Sequence, residues 1–250
     1  MMKTLTKYLN EKLVIFPSQV DERLVIFPSQ VDEKSGINQQ FDEKLVINKD
    51  YKDLYTCVPA SWEELRKIIN DRYDKLGPGT KDKPIDFNDV DVSNIISFCN
   101  DNDKGIFEGT KFKYIDISYW DVSNVTKMTS MFYKCEELKS VGDISSWDVS
   151  KVTNMGSMFF RCKDLKSVGD ISKWDVSKVS DMGYMFGLCE SFNKNISNWA
   201  VLNVICMTGM FGGCTSFNQD ISNWNVSKVK YKSYMFDDCP IKDEYKPKFK

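Results

Sequence analysis

The sequence of 250 residues predicts an α/β repeat solenoid with one short parallel strand and one short helix in each coil. A unit that begins with tryptophan recurs every 27 or 25 residues, at Trp120, Trp147, Trp174, Trp199 and Trp224. Within each unit the apolar residues keep fixed positions, whereas the positions between them are polar. A unit of this length is too short to bury its own apolar side chains, but stacked units bury them against one another.

Two segments of the unit predict its secondary structure. In M-x-x-M-F-x-x-C, which begins at Met128, the apolar residues follow the spacing i, i+3, i+4, i+7, which predicts a short helix. The segment before each tryptophan, LKSVGDIS from Leu138 or a later FN-x-x-IS, carries alternating β-forming residues and predicts one short strand. Strands of successive coils would pair in parallel about 4.8 Å apart.

The predicted solenoid covers residues 86–241 and contains about six coils, above the minimum of roughly three for a stable stack. A degenerate first copy starts at Val90, and an insertion separates it from Ile106 and Phe107, which stand where Met-Phe stands in later copies. In the last copy Lys232 replaces a core methionine. A charge is tolerable there because one side of a terminal coil faces water.

Residues 51–85 are predicted to form an N-terminal capping helix. Ser61 is the expected N-cap, Glu64 completes a capping box, and Gly77 followed by Pro78 ends the helix. Its apolar face comprises Trp62, Leu65, Ile68, Ile69, Tyr73 and Leu76. The first coil of a solenoid has no preceding neighbour, so a helix at this position would cover its apolar end.

The first 50 residues are predicted to be an arm of short tandem repeats. EKLVIFPSQVD at 11–21 is followed by ERLVIFPSQVD at 22–32, and Pro17 and Pro28 end the β-forming LVIF blocks. Such short strands could add to the edge of a partner's sheet. The other interpretation is a duplicated linker that is loosely ordered or packs on its own chain. Residues 242–250 are predicted to be a solvated, basic C-terminal tail.

The repeated pattern F-N-x-D-I-S-x-W-D-V-S-x-V-x-x-M-x-x-M-F-x-x-C resembles bacterial leucine-rich-repeat surface proteins of the BspA type. The resemblance is to the branch with repeats of about 25 residues. The N-terminal leader, of the type KYLNEKLVIN and followed by a capping helix, also looks similar to leaders on repeat proteins of gut bacteria and their phages. It implies a right-handed solenoid with a parallel sheet on one face and a location at the cell surface. It also implies binding of a protein partner or cell adhesion, without catalytic residues or cofactors.

Composition excludes several functional classes. The chain has no histidine, which rules out imidazole acid–base catalysis and histidine-ligated zinc. A net charge of −2 offers no electrostatic footprint for nucleic acid. No apolar run approaches the ~18 residues of a membrane span, and the apolar block at 13–16 is too short for a secretory signal. We therefore expect neither membrane insertion nor a Sec signal.

Three recurrent residue types each admit a binding role and a structural role. The cysteines could hold a metal or form disulfides, or pack as small apolar side chains. Asp121, Asp148 and Asp175 could bind calcium, or close turns through their carboxylates. The tryptophans could stack on carbohydrate, or fill the core. In each case the repetition favours the structural role, and no metal or cofactor is expected.

The predicted function is non-enzymatic protein binding of the surface or adhesion type. The alternative is a structural or accessory component of a phage particle, incorporated through residues 1–50. A hydrolase using carboxylates ranks last, because no carboxylate pair departs from the repeat. Binding surfaces of solenoids lie where residues vary between coils, which here selects Tyr133, Lys139, Phe160, Lys166, Tyr184, Asn193, Lys194, Asn218 and Gln219. The aromatic candidates could equally cover a neighbouring coil.

Overall fold

The structure is a computed structural model and describes residues 57–249. The arm predicted at residues 1–50 lies outside this range. The elements are helix α1 (Trp62–Leu76), strands β1 (Ile85–Asp86) and β2 (Ile115–Asp116), and the 3₁₀ helices Ile171–Lys173 and Asp243–Tyr245. Helix α1 falls short of the length and hydrophobicity of a transmembrane span, and no other helix within residues 57–249 reaches them.

Helix α1 begins and ends as the sequence predicts. The Ser61 hydroxyl accepts a hydrogen bond from the Glu64 N–H (3.3 Å), and the Glu64 carboxylate accepts one from the Ala60 N–H (2.8 Å). Gly77 adopts a φ of 74° and donates its N–H to the Tyr73 carbonyl (2.7 Å), which ends the helix. On the predicted apolar face Leu65 and Ile69 are buried, Trp62, Ile68 and Tyr73 are half-buried, and Leu76 is exposed.

Successive repeats lie beside one another in chain order. Strands β1 and β2 pair in parallel with Ile85 opposite Ile115. Isolated parallel bridges continue this pairing along two ladders, Ser97–Lys127–Asn154–Asp181–Cys206–Tyr231 and Tyr114–Ser140–Ser167. The second ladder follows the predicted strands and stops at Ser167, where the repeat shortens from 27 to 25 residues. Each bridge joins corresponding positions of adjacent repeats, so the repeats form an ordered stack.

The short helix predicted in each repeat is wrong: in residues 57–249 these segments form consecutive turns. The N–H of Met131 bonds to the Met128 carbonyl (3.3 Å), whereas the N–H of Phe132 bonds to the Met158 carbonyl of the next repeat (2.8 Å). Ser130 and Lys134 adopt positive φ angles of 55° and 60°. In a helix the N–H of Phe132 would bond to the Met128 carbonyl four residues earlier, but here alternate N–H groups bind the next repeat. We call these segments the turn ribbon, comprising residues 128–135, 155–162, 182–189, 207–214 and 232–239.

The core consists of identical side chains stacked from repeat to repeat. Neighbouring phenylalanine rings from Phe107 to Phe236 have centroids 5.1–6.0 Å apart, and those of the tryptophans from Trp147 to Trp224 are 6.2–6.4 Å apart. The recurrent Trp, Met, Phe and Cys side chains are almost all buried, and the exceptions lie in the last repeat. Their predicted inward orientation is confirmed.

The C-terminal segment covers the last repeat, and its prediction as a solvated tail is wrong for residues 242–249. The Tyr245 carbonyl accepts a hydrogen bond from the Ile221 N–H (3.0 Å), and the side chains of Tyr245 and Phe249 pack against the core. Lys232 is exposed, as predicted, with its Nζ 4.6 Å from the Phe249 ring centroid. The last repeat has no following repeat, and this aromatic segment shields its apolar side chains instead.

Candidate interaction surface

The recurrent cysteines form a column of buried thiols, as predicted. The Sγ atoms of Cys135, Cys162, Cys189 and Cys214 each donate to the carbonyl of a phenylalanine in the preceding repeat, at 3.0, 3.1, 2.8 and 2.8 Å. Burial raises the pKa of the Cys135 thiol to about 11 and raises the pKa values of the other three. These thiols therefore stay protonated at neutral pH and act as weak hydrogen-bond donors that join repeats.

The recurrent aspartates close turns, which confirms the structural interpretation. The Asp121 carboxylate accepts from the Ser123 N–H at 3.0 Å, and Asp148 and Asp175 make the same bond to the residue two positions later. Hydrogen bonds from Ser177 lower the pKa of Asp175. Within residues 57–249, no group of three or more Cys, Asp or Glu side chains is placed to hold a metal ion.

The tryptophans belong to the core and join adjacent repeats. The indole Nε1 of Trp174 donates to the Ile144 carbonyl of the preceding repeat (3.0 Å), and that of Trp199 donates to the Ile171 carbonyl (2.8 Å). Their side chains are only 3% exposed, so these rings present no stacking face to a carbohydrate. Each of these carbonyls also accepts the backbone N–H of the tryptophan in its own repeat, so the indole supplies a second donor that links the two repeats.

Three of the predicted partner-binding residues hydrogen-bond neighbouring repeats. The Asn193 side-chain oxygen accepts from the Asn218 N–H (3.1 Å) and from the Gln219 side-chain amide (2.8 Å). The Asn218 side-chain oxygen in turn accepts from the Lys242 N–H (3.1 Å). Asn193 and Asn218 supply acceptors, and Gln219 supplies a donor, where the second bridge ladder has ended, so all three have a structural role in the 25-residue repeats.

The predicted lysines lie on the same side of the repeat as these amides. The Lys166 N–H donates to the Lys139 carbonyl (3.2 Å), so the two residues are neighbours in the stack. Lys166 is exposed, whereas Lys139 and Lys194 are half-buried. The lysines therefore leave part of their surface available to a partner.

The predicted aromatic residues form a row across three repeats. The rings of Tyr133 and Phe160 stack at 5.3 Å, and Phe160 meets Tyr184 edge-on at 5.7 Å. The Tyr184 ring lies over Gly209, where a Cβ atom would come within 2.3 Å of it. Tyr133 and Phe160 are half-buried, whereas Tyr184 is 41% exposed. Each ring thus helps to cover the next repeat, the alternative that the sequence left open, and Tyr184 also offers a solvent-facing side.

The structure adds exposed apolar residues that the sequence analysis did not select. Ile205 is 39% exposed, Tyr231 61% and Tyr234 66%, and all three lie on or beside the turn ribbon of the last two repeats. Together with Tyr184 and Leu188 we call them the exposed apolar surface. Tyr234 occupies the repeat position of Tyr184. The sequence signal for Tyr234 is therefore an aromatic residue at a position that holds glycine or serine in the repeats other than that of Tyr184.

The stacked turns and the columns of inter-repeat hydrogen bonds define a protein built from tandem repeats. Two overlapping segments, residues 80–169 and 162–244, match a family described as "Mycoplasma protein of unknown function, DUF285". These matches span more than half of the chain, so the chain belongs to this family. No curated protein and no solved structure matched the chain.

Proposed function

We propose that this chain is a non-enzymatic, protein-binding solenoid of the leucine-rich-repeat-like type that acts in surface attachment or adhesion. The observation that carries the proposal is the exposed apolar surface on the last three repeats. Exposed apolar side chains that gather on neighbouring repeats mark sites of protein association. The aromatic members Tyr184, Tyr231 and Tyr234 are of the type that dominates binding energy at such sites.

The different roles of recurrent and varying side chains within the repeat support this proposal. Side chains that recur build the scaffold: those of Cys162 and Trp174 hydrogen-bond the preceding repeat, and that of Asp175 closes a turn. The exposed apolar side chains stand at positions that differ between repeats. The position of Ile205 holds isoleucine, threonine, serine or lysine in other repeats, and that of Tyr231 holds serine, lysine, asparagine, aspartate or cysteine. A surface that varies on a constant scaffold is the arrangement by which stacked-repeat proteins select partners.

The experiment is partner capture with the full chain, followed by affinity measurements with the purified partner. The variant carries Ile205→Ser and Tyr231→Ser, which remove apolar surface without touching the core. Ile96→Ser is the matched control, because Ile96 occupies the repeat position of Ile205 in the first repeat and is 66% exposed. We expect the double variant to weaken binding at least about tenfold, as for two hot-spot side chains, with the control unchanged. Equal affinity of all three proteins would contradict the proposal.

The second candidate is a structural or accessory role in a phage particle, with docking through residues 1–50. The near-identical copies of EKLVIFPSQVD in this segment favour it, because a duplicated β-forming block offers two equivalent attachment points. A chain that lacks residues 1–50 should then no longer co-purify with particles. Retained incorporation of the shortened chain would exclude docking through this segment.

A further inference from the structure

The turn ribbon sends a row of backbone N–H groups from each repeat to the next. From the fifth repeat, Gly209, Phe211 and Gly213 donate to the carbonyls of Ser233, Met235 and Asp237 in the sixth, at 2.9, 3.0 and 2.7 Å. The preceding repeats make corresponding bonds at the same positions. The ribbon therefore has a direction, with donors facing the C-terminal end of the stack and acceptors facing the N-terminal end.

The sixth repeat presents the same row of donors, and no further repeat follows it within residues 57–249. The corresponding N–H groups belong to Tyr234, Phe236 and Asp238, and they have no acceptor among residues 57–249. Tyr234 and Asp238 are exposed and Phe236 is half-buried. We call these three N–H groups the donor edge. Like the edge strand of a sheet, it offers unpaired main-chain groups to another chain.

The opposite end of the ribbon is closed by a side chain. The Arg66 guanidinium of helix α1 donates to the carbonyls of Ile106 and Glu108, the latter at 3.1 Å. Ile106 occupies the repeat position of Met131, so Arg66 supplies the donors that a preceding repeat would supply. The N-terminal acceptors are therefore occupied, whereas the C-terminal donors are open.

The C-terminal segment covers the apolar side chains of the sixth repeat and leaves the donor edge open. Tyr245 and Phe249 pack against the core, and the Lys246 Nζ lies 5.6 Å from the Phe236 ring centroid. The occupant of the donor edge therefore need not supply an apolar face of its own, as a further repeat would. It needs a line of main-chain carbonyl acceptors spaced like those of Ser233, Met235 and Asp237, which serve the same donors of the fifth repeat.

We propose that the donor edge binds a linear segment of a partner protein, whose main-chain carbonyl oxygens at alternate residues accept from Tyr234, Phe236 and Asp238. This inference rests on the protein-binding function proposed above and names the form of the partner. A second copy fits poorly, because two donor edges have no acceptors for each other and the acceptors of the N-terminal end are held by Arg66. The flanking side chains of Tyr231 and Tyr234, more than half exposed, provide contact area for the segment's apolar side chains.

The test uses the full chain and, as the probe, peptides selected against it from a random-sequence display library. Hydrogen exchange of the ¹⁵N-labelled chain is measured with and without a selected peptide. In the free chain the amides of Tyr234, Phe236 and Asp238 should exchange fast, since they have no acceptor, and peptide should slow them at least about tenfold. Replacing successive peptide amides by esters weakens the carbonyl acceptors one at a time. The affinity of the peptide for the chain should fall about two- to tenfold when the weakened carbonyl is at one of the alternate residues that accept from the donor edge, and should not change at the residues between them.

Tyr234→Gly and Ser157→Gly form a matched pair of variants. Both residues stand at the same repeat position and have positive φ angles, 60° and 56°, which glycine accepts, but the Ser157 N–H already donates to the Gly183 carbonyl (2.8 Å). Tyr234→Gly should weaken peptide binding at least about fivefold and Ser157→Gly should leave it unchanged. A peptide or partner that binds but protects amides elsewhere overturns the donor edge and leaves the protein-binding function standing. A chain that binds neither a peptide nor a captured partner overturns both, and self-association through these amides overturns the proposed occupant.

Discussion

The thiol column predicts that the chain loses stability steeply at alkaline pH. Burial raises the pKa of the Cys135 thiol to about 11 and raises the pKa values of Cys162, Cys189 and Cys214, whereas an unfolded cysteine has a pKa of about 8.5. The folded state therefore holds protons that the unfolded state releases. This contribution to stability is complete below about pH 8.5 and is lost as pH rises toward the folded pKa values.

The magnitude follows from the number of thiols in the column. Each thiol that is neutral when folded and ionised when unfolded lowers the free energy of unfolding by about 1.4 kcal/mol per pH unit. The four thiols together give roughly 5–6 kcal/mol per pH unit between about pH 9 and 10.5. Such a slope exhausts the stability of an ordinary domain, about 5–15 kcal/mol, within a few pH units.

The assay is guanidinium-induced unfolding under reducing conditions at several values between pH 7.5 and 10.5. The double variant Cys162→Ala and Cys189→Ala should lose about half of the thiol contribution to the slope, although its stability at neutral pH also falls. Lysines and tyrosines titrate in both proteins, so the difference between the slopes isolates the column. Cys206→Ala controls for the loss of a cysteine outside the column. Identical slopes in the parent chain and the double variant would refute the reasoning.

Five further substitutions test individual features by denaturant unfolding. Arg66→Met removes the hydrogen bonds that close the N-terminal end and should cost about 1–3 kcal/mol; a neutral effect would mean that water replaces the guanidinium. Gly209→Ala places a Cβ at a φ of 57° and should cost at least about 1–2 kcal/mol, whereas Ser157→Gly at the same repeat position should stabilise by up to about 1 kcal/mol; effects of equal sign would contradict the assigned turn geometry. Trp174→Phe keeps an aromatic ring but loses the indole donor, with an expected cost of about 1–3 kcal/mol, and an unchanged midpoint would show that this bond contributes nothing. Asn193→Ala should lower the free energy of unfolding by about 1 kcal/mol and leave partner affinity unchanged. Unchanged stability with weaker partner binding would show that Asn193 belongs to the binding site.

The spacing of the repeats predicted which side chains are buried, because stacking imposes the same environment on every copy. It could not distinguish a helix from a chain of turns, since the spacing of Met128, Met131, Phe132 and Cys135 fits both. The distinguishing signal is weak: only the fifth repeat has glycine, Gly209 and Gly213, at both positions of positive φ. Elsewhere serine, tyrosine, lysine, arginine, leucine or aspartate occupies these positions, because the inter-repeat hydrogen bonds hold the backbone there.

The candidate surface was predictable only in part. Variation between repeats identified Tyr184, but it also selected Asn193 and Gln219, whose amides are used in stacking. The repeat positions of Tyr231 and Tyr234 could not show that, within residues 57–249, no further repeat lies against these side chains. The packing of residues 242–249 against the last repeat was missed for a related reason, since Tyr245 and Phe249 are single aromatic residues in a charged segment and follow no period.

The common direction of the ribbon's hydrogen bonds has an electrostatic consequence. Each peptide unit carries a dipole of about 3.5 D, and dipoles aligned head to tail add up along their axis. In the turn ribbon four N–H groups per repeat point toward the C-terminal end, while the backbone groups of Thr126, Thr153 and Ser180 point the other way. The C-terminal end of the ribbon therefore carries partial positive charge, the reverse of an α-helix, in which the N-terminus is the positive end. An anion near the last repeat is stabilised by this polarity.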